Sequence, residues 1–388
     1  MQIPAAIKAQ LQQLRSAHPE LMEVSDEQIM NMVQQAMQRR MVQAGPPDEA
    51  EIEQMSAHEC GVMGQRLLDV CRWQEAERWL LAQLQKGERA GDLTEQCQAK
   101  TALGRLCVQR GDFEQAMGLL QQALGLAERL GDQRLQSVTY SIIGSTHQGQ
   151  GQYPHAIEHY KKALEIAERS GDEDGMAVGY GNLGVVYSMQ DDFDRAIDAF
   201  ERSLAFSTKT GGDDRTGIQY GNLGNVYLRQ GRYDRAAEML SKSIEFTERS
   251  GDERALANQY LNLGGVYHAQ EGALEEAIRM DDKALEIMRR IASEPGVAQS
   301  YVNLAVCYRE KGDVARALEF YQKSLDITER IGDLHTSART YHNLGNLYLQ
   351  EIGDAKQARG HYEKAKALFE MVGDARSAQQ AALVLRQL

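Results

Sequence analysis

Tyr220-Gly221-Asn222-Leu223-Gly224-Asn225-Val226-Tyr227 reads as one face of a helix: Tyr220, Leu223, Gly224 and Tyr227 fall at positions i, i+3, i+4 and i+7. Close copies stand at Asn182-Leu183-Gly184 and at Asn343-Leu344-Gly345-Asn346-Leu347-Tyr348. Aligned on the leucine, the copies extend through Leu103, Ile143, Leu183, Leu223, Leu263, Leu304 and Leu344, at intervals of 40 or 41 residues, and Met63 continues the series backward. A second series, Ala76, Ala116, Ala156, Ala196, Ala236, Ala277, Ala317 and Ala358, keeps the same step. The chain is therefore an eightfold repeat.

Each unit reads as two helices. After Tyr227, Gln230-Gly231-Arg232-Tyr233 turns the chain into a second helix carrying Ala236, Leu240 and Ile244. A Gly-Asp step then closes the unit, at Gly91-Asp92, Gly131-Asp132, Gly171-Asp172, Gly251-Asp252, Gly332-Asp333 and Gly373-Asp374. Glycine takes the left-handed conformation that ends one helix, and the aspartate caps the next.

Small residues at close-approach positions, with large ones between them in eight units of one register, resemble the tetratricopeptide repeat. The period of about forty residues is similar to the longer-repeat subgroup that includes Pins/LGN-type adaptors, kinesin light chains and arrays in bacterial regulators. The expected fold is all-α: a right-handed superhelical solenoid of eight helix-turn-helix repeats, at about 52–91, 92–131, 132–171, 172–211, 212–251, 252–292, 293–332 and 333–373. An N-terminal helical hairpin over 1–45, a linker over 46–51 and a C-terminal capping helix over 374–388 complete the expected organisation. The hairpin rests on Ile7, Leu11 and Leu14, a break at His18-Pro19, and a methionine-rich run of Ile29, Val33, Met37 and Met41. It either caps the array or fills a binding groove, its own or another copy's, which makes self-association a second expectation.

Composition excludes several functions. A net charge of −13 over 388 residues, with no basic cluster beyond pairs such as Arg39-Arg40, argues against nucleic acid. No run of eighteen apolar residues or secretory leader pattern is present, so no membrane insertion and a cytoplasmic location are expected. The five cysteines are odd in number, lack a Cys-x-x-Cys pair and read as buried packing residues. Gly179-Tyr180-Gly181-Asn182-Leu183-Gly184 matches the dinucleotide fingerprint in letters only, because its glycines fall inside a helix. His155 and His159 have a zinc-compatible spacing but no third ligand nearby in sequence. No nucleophile, base and orienter combine, so the chain reads as a non-enzyme with no cofactor and no metal.

The candidate working surface comes from helical angles. At 100° per residue, Asn182 lies about 150° from the centre of the Leu183/Gly184 face. Asn recurs there at Asn182, Asn222, Asn262, Asn303 and Asn343, although it is a mediocre helix former. A carboxamide offers a donor and an acceptor, so a ladder of them fits the backbone of an extended peptide. The resemblance implies the same, since first helices in that family line the concave surface. The alternative is a bridge between repeats that needs no ligand. The same stripe carries apolar Val138, Ile142, Val178, Val185, Met189 and Ile218, then polar Asn225, Arg229, Asn258, Gln299, Glu310, Arg339, Asn346 and Gln350, with Arg105 earlier. The expected partner is a protein or peptide segment with apolar anchors and some acidic residues.

Overall fold

The computed structural model describes residues 49–69 and 72–388. The hairpin expected over 1–45, residues 46–48 of the linker and Cys71 lie outside the described residues. Where the linker was expected to reach 51, the chain is already helical in α1 (Glu49–Gln54), as its run of Glu, Ala and Gln favours.

The chain forms two compact units, the first ending at Leu130 and the second spanning Gly131–Leu388. The first holds α2 (Ala57–Asp69), α3 (Trp73–Ala90), α4 (Leu93–Arg110) and α5 (Phe113–Leu130). The second continues with α6 (Gln133–Gly149), α7 (Tyr153–Ser170), α8 (Glu173–Met189), α9 (Phe193–Thr210), α10 (Asp213–Arg229), α11 (Tyr233–Ser250), α12 (Glu253–Ala269) and α13 (Leu274–Arg290). It ends with α14 (Glu294–Glu310), α15 (Val314–Ile331), α16 (Leu334–Leu347), a π-helical turn (Tyr348–Ile352), α17 (Ala355–Met371) and α18 (Ala375–Gln387), which packs on α17. All regular structure among the described residues is helical, in consecutive pairs.

The punctuation works as the residue types dictate. Gly91, Gly171, Gly251 and Gly332 have φ between 68° and 75°. Asp92, Asp132, Asp172, Asp252, Asp333 and Asp374 each accept a hydrogen bond from a backbone N–H in the first turn that follows. Two joints depart from this: Gly212 replaces the capping aspartate before α10, and before α14 Ser293 makes no capping bond while Ala292 occupies the left-handed region at φ 53°.

Every residue of the alanine series is fully buried, and the Leu/Ile series from Leu103 to Leu344 is at most 5% exposed. Four residues beyond each alanine stands the side chain that fills the space between paired helices: Leu80, Leu120, Tyr160, Phe200, Leu240, Asp281, Tyr321 and Tyr362. It packs against the residue after the repeated leucine, usually glycine. A Cβ at Gly224 would stand 2.6 Å from Leu240 Cγ. Gly224→Ala is therefore expected to destabilise the second unit by about 1–3 kcal/mol, although alanine is the better helix former. A urea midpoint equal to or above that of the unsubstituted protein would contradict this packing.

Hydrogen bonds sew the layers together at repeating positions. Ser137, Ser203, Ser243 and Ser324 donate from Oγ to the carbonyls of Ala163, Ala177, Gly217 and Ala298. Tyr180, Tyr260 and Tyr341 donate from their hydroxyls to Glu168, Glu248 and Glu329 on the preceding helix. Cys60, Cys97, Cys107 and Cys307 are buried and form no disulfide among the described residues.

Candidate functional site

In the second unit, α8, α10, α12, α14 and α16 present the five asparagines one helix after another. Each is half-buried rather than fully open. The wheel treats a helix as isolated, whereas these first helices have neighbours that narrow the open strip. The carboxamides of Asn182, Asn262 and Asn343 make no hydrogen bond with the described residues, and Asn222 Nδ2 only reaches Gln219 Oε1 at 3.5 Å. Asn303 differs: its Oδ1 accepts from Gln299 Nε2 at 2.7 Å, and its Nδ2 donates to Asp281 Oδ1 at 3.3 Å.

One turn before the asparagine row, Val138, Val178 and Ile218 are 45%, 38% and 54% exposed on α6, α8 and α10. Met189 is 49% exposed at the end of α8, beside half-buried Val185, and Ile142 is half-buried on α6. Val138, Val178, Ile218 and Met189 thus stand open to solvent on the helices that carry Asn182 and Asn222 or, for Val138, on α6, whereas Val185 packs on the core. Beside Ile218 a hollow of about 580 Å³ opens between Asp174, Thr210, Asp213 and Arg215.

The polar part of the stripe is more committed to its own chain than the sequence suggested. Arg229 donates to the Ser188 carbonyl at 2.6 Å and pairs with Asp191. Arg339 donates to Gln299 Oε1 at 3.0 Å, and Asn346 accepts from the Tyr362 hydroxyl at 2.7 Å. In the first unit Arg105 pairs with Asp69 at 3.1 Å. Asn258 is exposed and Asn225 half-buried, and neither makes a side-chain hydrogen bond with the described residues. Gly181 and Gly221 accommodate the amides of Gln219 and Gln259 from the next first helix, 3.0 and 2.9 Å from where a Cβ would stand.

The structure brings together two groups that sequence reasoning missed. His147 stacks between His155 and His159, with ring centroids 5.4 and 5.2 Å apart. Burial and His147 hold the His159 imidazole below the usual range. Within the stack His159 lies between Tyr140 and His147, centroids 6.0 and 5.2 Å away, which repeats the sandwich of Phe320 between Tyr301 and Tyr308 and of His361 between Tyr341 and Tyr348. Near-parallel rings do not converge on one ion, and the described residues contain no group of three or more His, Cys, Asp or Glu side chains arranged to hold a metal. The second group is Asp281, only 2% exposed, whose carboxyl is pushed up to about 7 by burial. Its neighbour Cys307 is pushed up to about 12, first by burial and then by that carboxyl. Alignment on the alanine series was the available signal, since Asp281 stands where seven sister repeats have Leu, Tyr or Phe. The glycines of the dinucleotide-like sequence lie within α8, which rules out the strand-turn-helix that fingerprint needs.

Comparison with known proteins follows the repeats. A model described as the MalT-like TPR region matches residues 100–289, and a tetratricopeptide repeat model matches residues 296–371. No curated protein sequence matches. Among solved structures, a STAND protein with a tetratricopeptide repeat sensor from Pyrococcus horikoshii superposes with a TM-score of 0.66 at 19% identity, over 83% of this chain and 50% of that one. The chain thus spans about half the length of that protein. The apo form of the quorum sensor NprR from B. thuringiensis gives 0.63 at 16% identity over 94% and 99% of the two chains. A Rap protein complexed with Competence and Sporulation Factor gives 0.56 at 16% over 85% and 97%. At these identities the likeness is one of fold.

Proposed function

Since the chain is a tetratricopeptide-repeat protein, we propose that it is a non-catalytic cytoplasmic adaptor whose second unit holds an extended segment of a partner protein along the face of α6, α8, α10 and α12. The observation that carries this reading is the juxtaposition of exposed aliphatic side chains, Val138, Val178 and Ile218, with the unpaired carboxamides of Asn182 and Asn262 and that of Asn222, held only by a 3.5 Å contact to Gln219. Exposed apolar side chains cost solubility unless a partner covers them, and carboxamides at regular steps suit a peptide main chain. Because Arg105, Arg229 and Arg339 already have partners in the chain, apolar anchors weigh more than acidic residues in the ligand. Buried cysteines that form no disulfide among the described residues support the reducing compartment.

The test is selection of binding peptides from a random display library, followed by affinity measurement on variants. Selected peptides are expected to carry spaced aliphatic residues. Asn222→Ala and Asn262→Ala should each weaken them by about fivefold, ~1 kcal/mol. Ile218→Asp should abolish binding, while Asn303→Ala should leave it nearly unchanged, because that amide is occupied inside the chain. Peptides that bind all four variants alike would move the working surface elsewhere.

A further inference from the structure

We propose that the joint at which α12 and α13 meet α14 is a proton-controlled weak point of the second unit, its open population rising when the Asp281 carboxyl ionises. The inference is independent of what the first-helix face binds.

The geometry concentrates three departures from the repeat at one place. First, Asp281 on α13 stands in the core position filled by Leu, Tyr or Phe in the other seven repeats, with its Oδ1 2.8 Å from where a Cβ on Gly264 of α12 would be. Second, the connection from α13 to α14 carries Ala292 at φ 53°, where an L side chain is strained and sister repeats use glycine. Third, Ser293 supplies no capping hydrogen bond to α14, whereas aspartate caps α6, α8, α12 and α16. Other joints lack this combination.

The surroundings of the carboxyl explain why ionisation is the trigger. From α12 it meets Gly264, which has no charge to offer. From α14 it receives the Asn303 amide at 3.3 Å and faces the Cys307 thiol, Sγ to Oδ2 3.9 Å. On α13 itself the nearby charge is Asp282, a like charge. His268 of α12 and Arg309 of α14 both turn to Glu310, at 3.0 and 3.7 Å, and Arg289 hydrogen-bonds the Tyr301 hydroxyl. No cation pairs with Asp281 among the described residues. A buried carboxylate with one amide donor, one weak thiol donor and no counter-ion is poorly solvated, and opening the joint gives it water.

Hydrogen exchange on the full chain from pH 5 to 8, corrected for the intrinsic rate at each pH, tests this. In the closed joint the carboxyl titrates near 7, and in the open one near its ordinary value, 3.8. The opening equilibrium read from the amides of Ala298–Val306 on α14 should therefore rise by up to about tenfold per pH unit between 5 and 7, then level off. Amides of Ala177–Val186 on α8, measured in the same sample, should lack that added slope. Asp281→Asn and Asp281→Leu should each flatten the α14 profile, and the leucine variant serves should the asparagine variant fold poorly. Equal slopes at α14 and α8, or an Asp281→Leu profile matching the unsubstituted chain, would overturn the proposal.

Discussion

Asp281→Leu is expected to stabilise the second unit at pH 8 by about 4 kcal/mol through removal of the buried carboxylate, with the net gain from apolar burial added to it. Leucine fits the position, because Leu240 fills the equivalent space against Gly224 one repeat earlier. The sign follows from the direction of the shift. A carboxyl raised from 3.8 to about 7 disfavours the folded state wherever the folded chain must give up its proton. That penalty is absent below about pH 4, grows as pH rises, and is complete above about 7. The gain from leucine should therefore shrink on acidification, leaving mainly the apolar burial term, less about 1 kcal/mol for the lost Asn303 hydrogen bond. Urea midpoints at pH 8 and at about pH 4 or below measure both numbers. A variant no more stable than the original chain at pH 8 would mean that the carboxyl is solvated in the folded chain.

Phe200→Ala changes the same position two repeats earlier and should move stability the other way, by about 3–5 kcal/mol. Phe200 is 1% exposed, and its ring lies where a Cβ on Gly184 would stand, 2.6 Å from Cδ1. Truncating it leaves a void with glycine on the far side and no side chain to close it. A double-mutant cycle sharpens the test: Gly184→Ala should destabilise the original chain by about 1–3 kcal/mol, yet stabilise the Phe200→Ala background by filling part of the void. If Gly184→Ala has the same effect in both backgrounds, the two residues are not packed as described.

The repeat and its register were legible because two buried series, the alanines and the leucines, admit few substitutes. The helix ends were legible because left-handed backbone selects glycine and first-turn N–H groups select aspartate. The state of each carboxamide was not. Asn222 and Asn303 look identical along the helix, and only Asp281 and Gln299 make the second one occupied. Likewise Arg229 reads as a free cation until the turn at Ser188–Asp191 folds beneath it. Gln299 lies four residues away on the same helix, but the other partners that decide these cases are 22 to 41 residues away, and no single-helix wheel contains them. His147 escaped for a related reason: it occupies a tyrosine position of the repeat, so its meeting with His155 and His159 belongs to the helix pair rather than to either helix.

The principal contacts in the second unit join helices adjacent or next-but-one in sequence. That wiring has a mechanical consequence. Force applied across Gly131–Leu388 has no long-range clasp to break, so the load falls on one interface at a time. Stretched between two beads, the unit should lengthen in a staircase. Each step would release one forty-residue repeat, ~140 Å of contour length less the span the folded repeat already covered. The molecule would behave as a graded spring, yielding at low force and recoiling repeat by repeat when the load is removed.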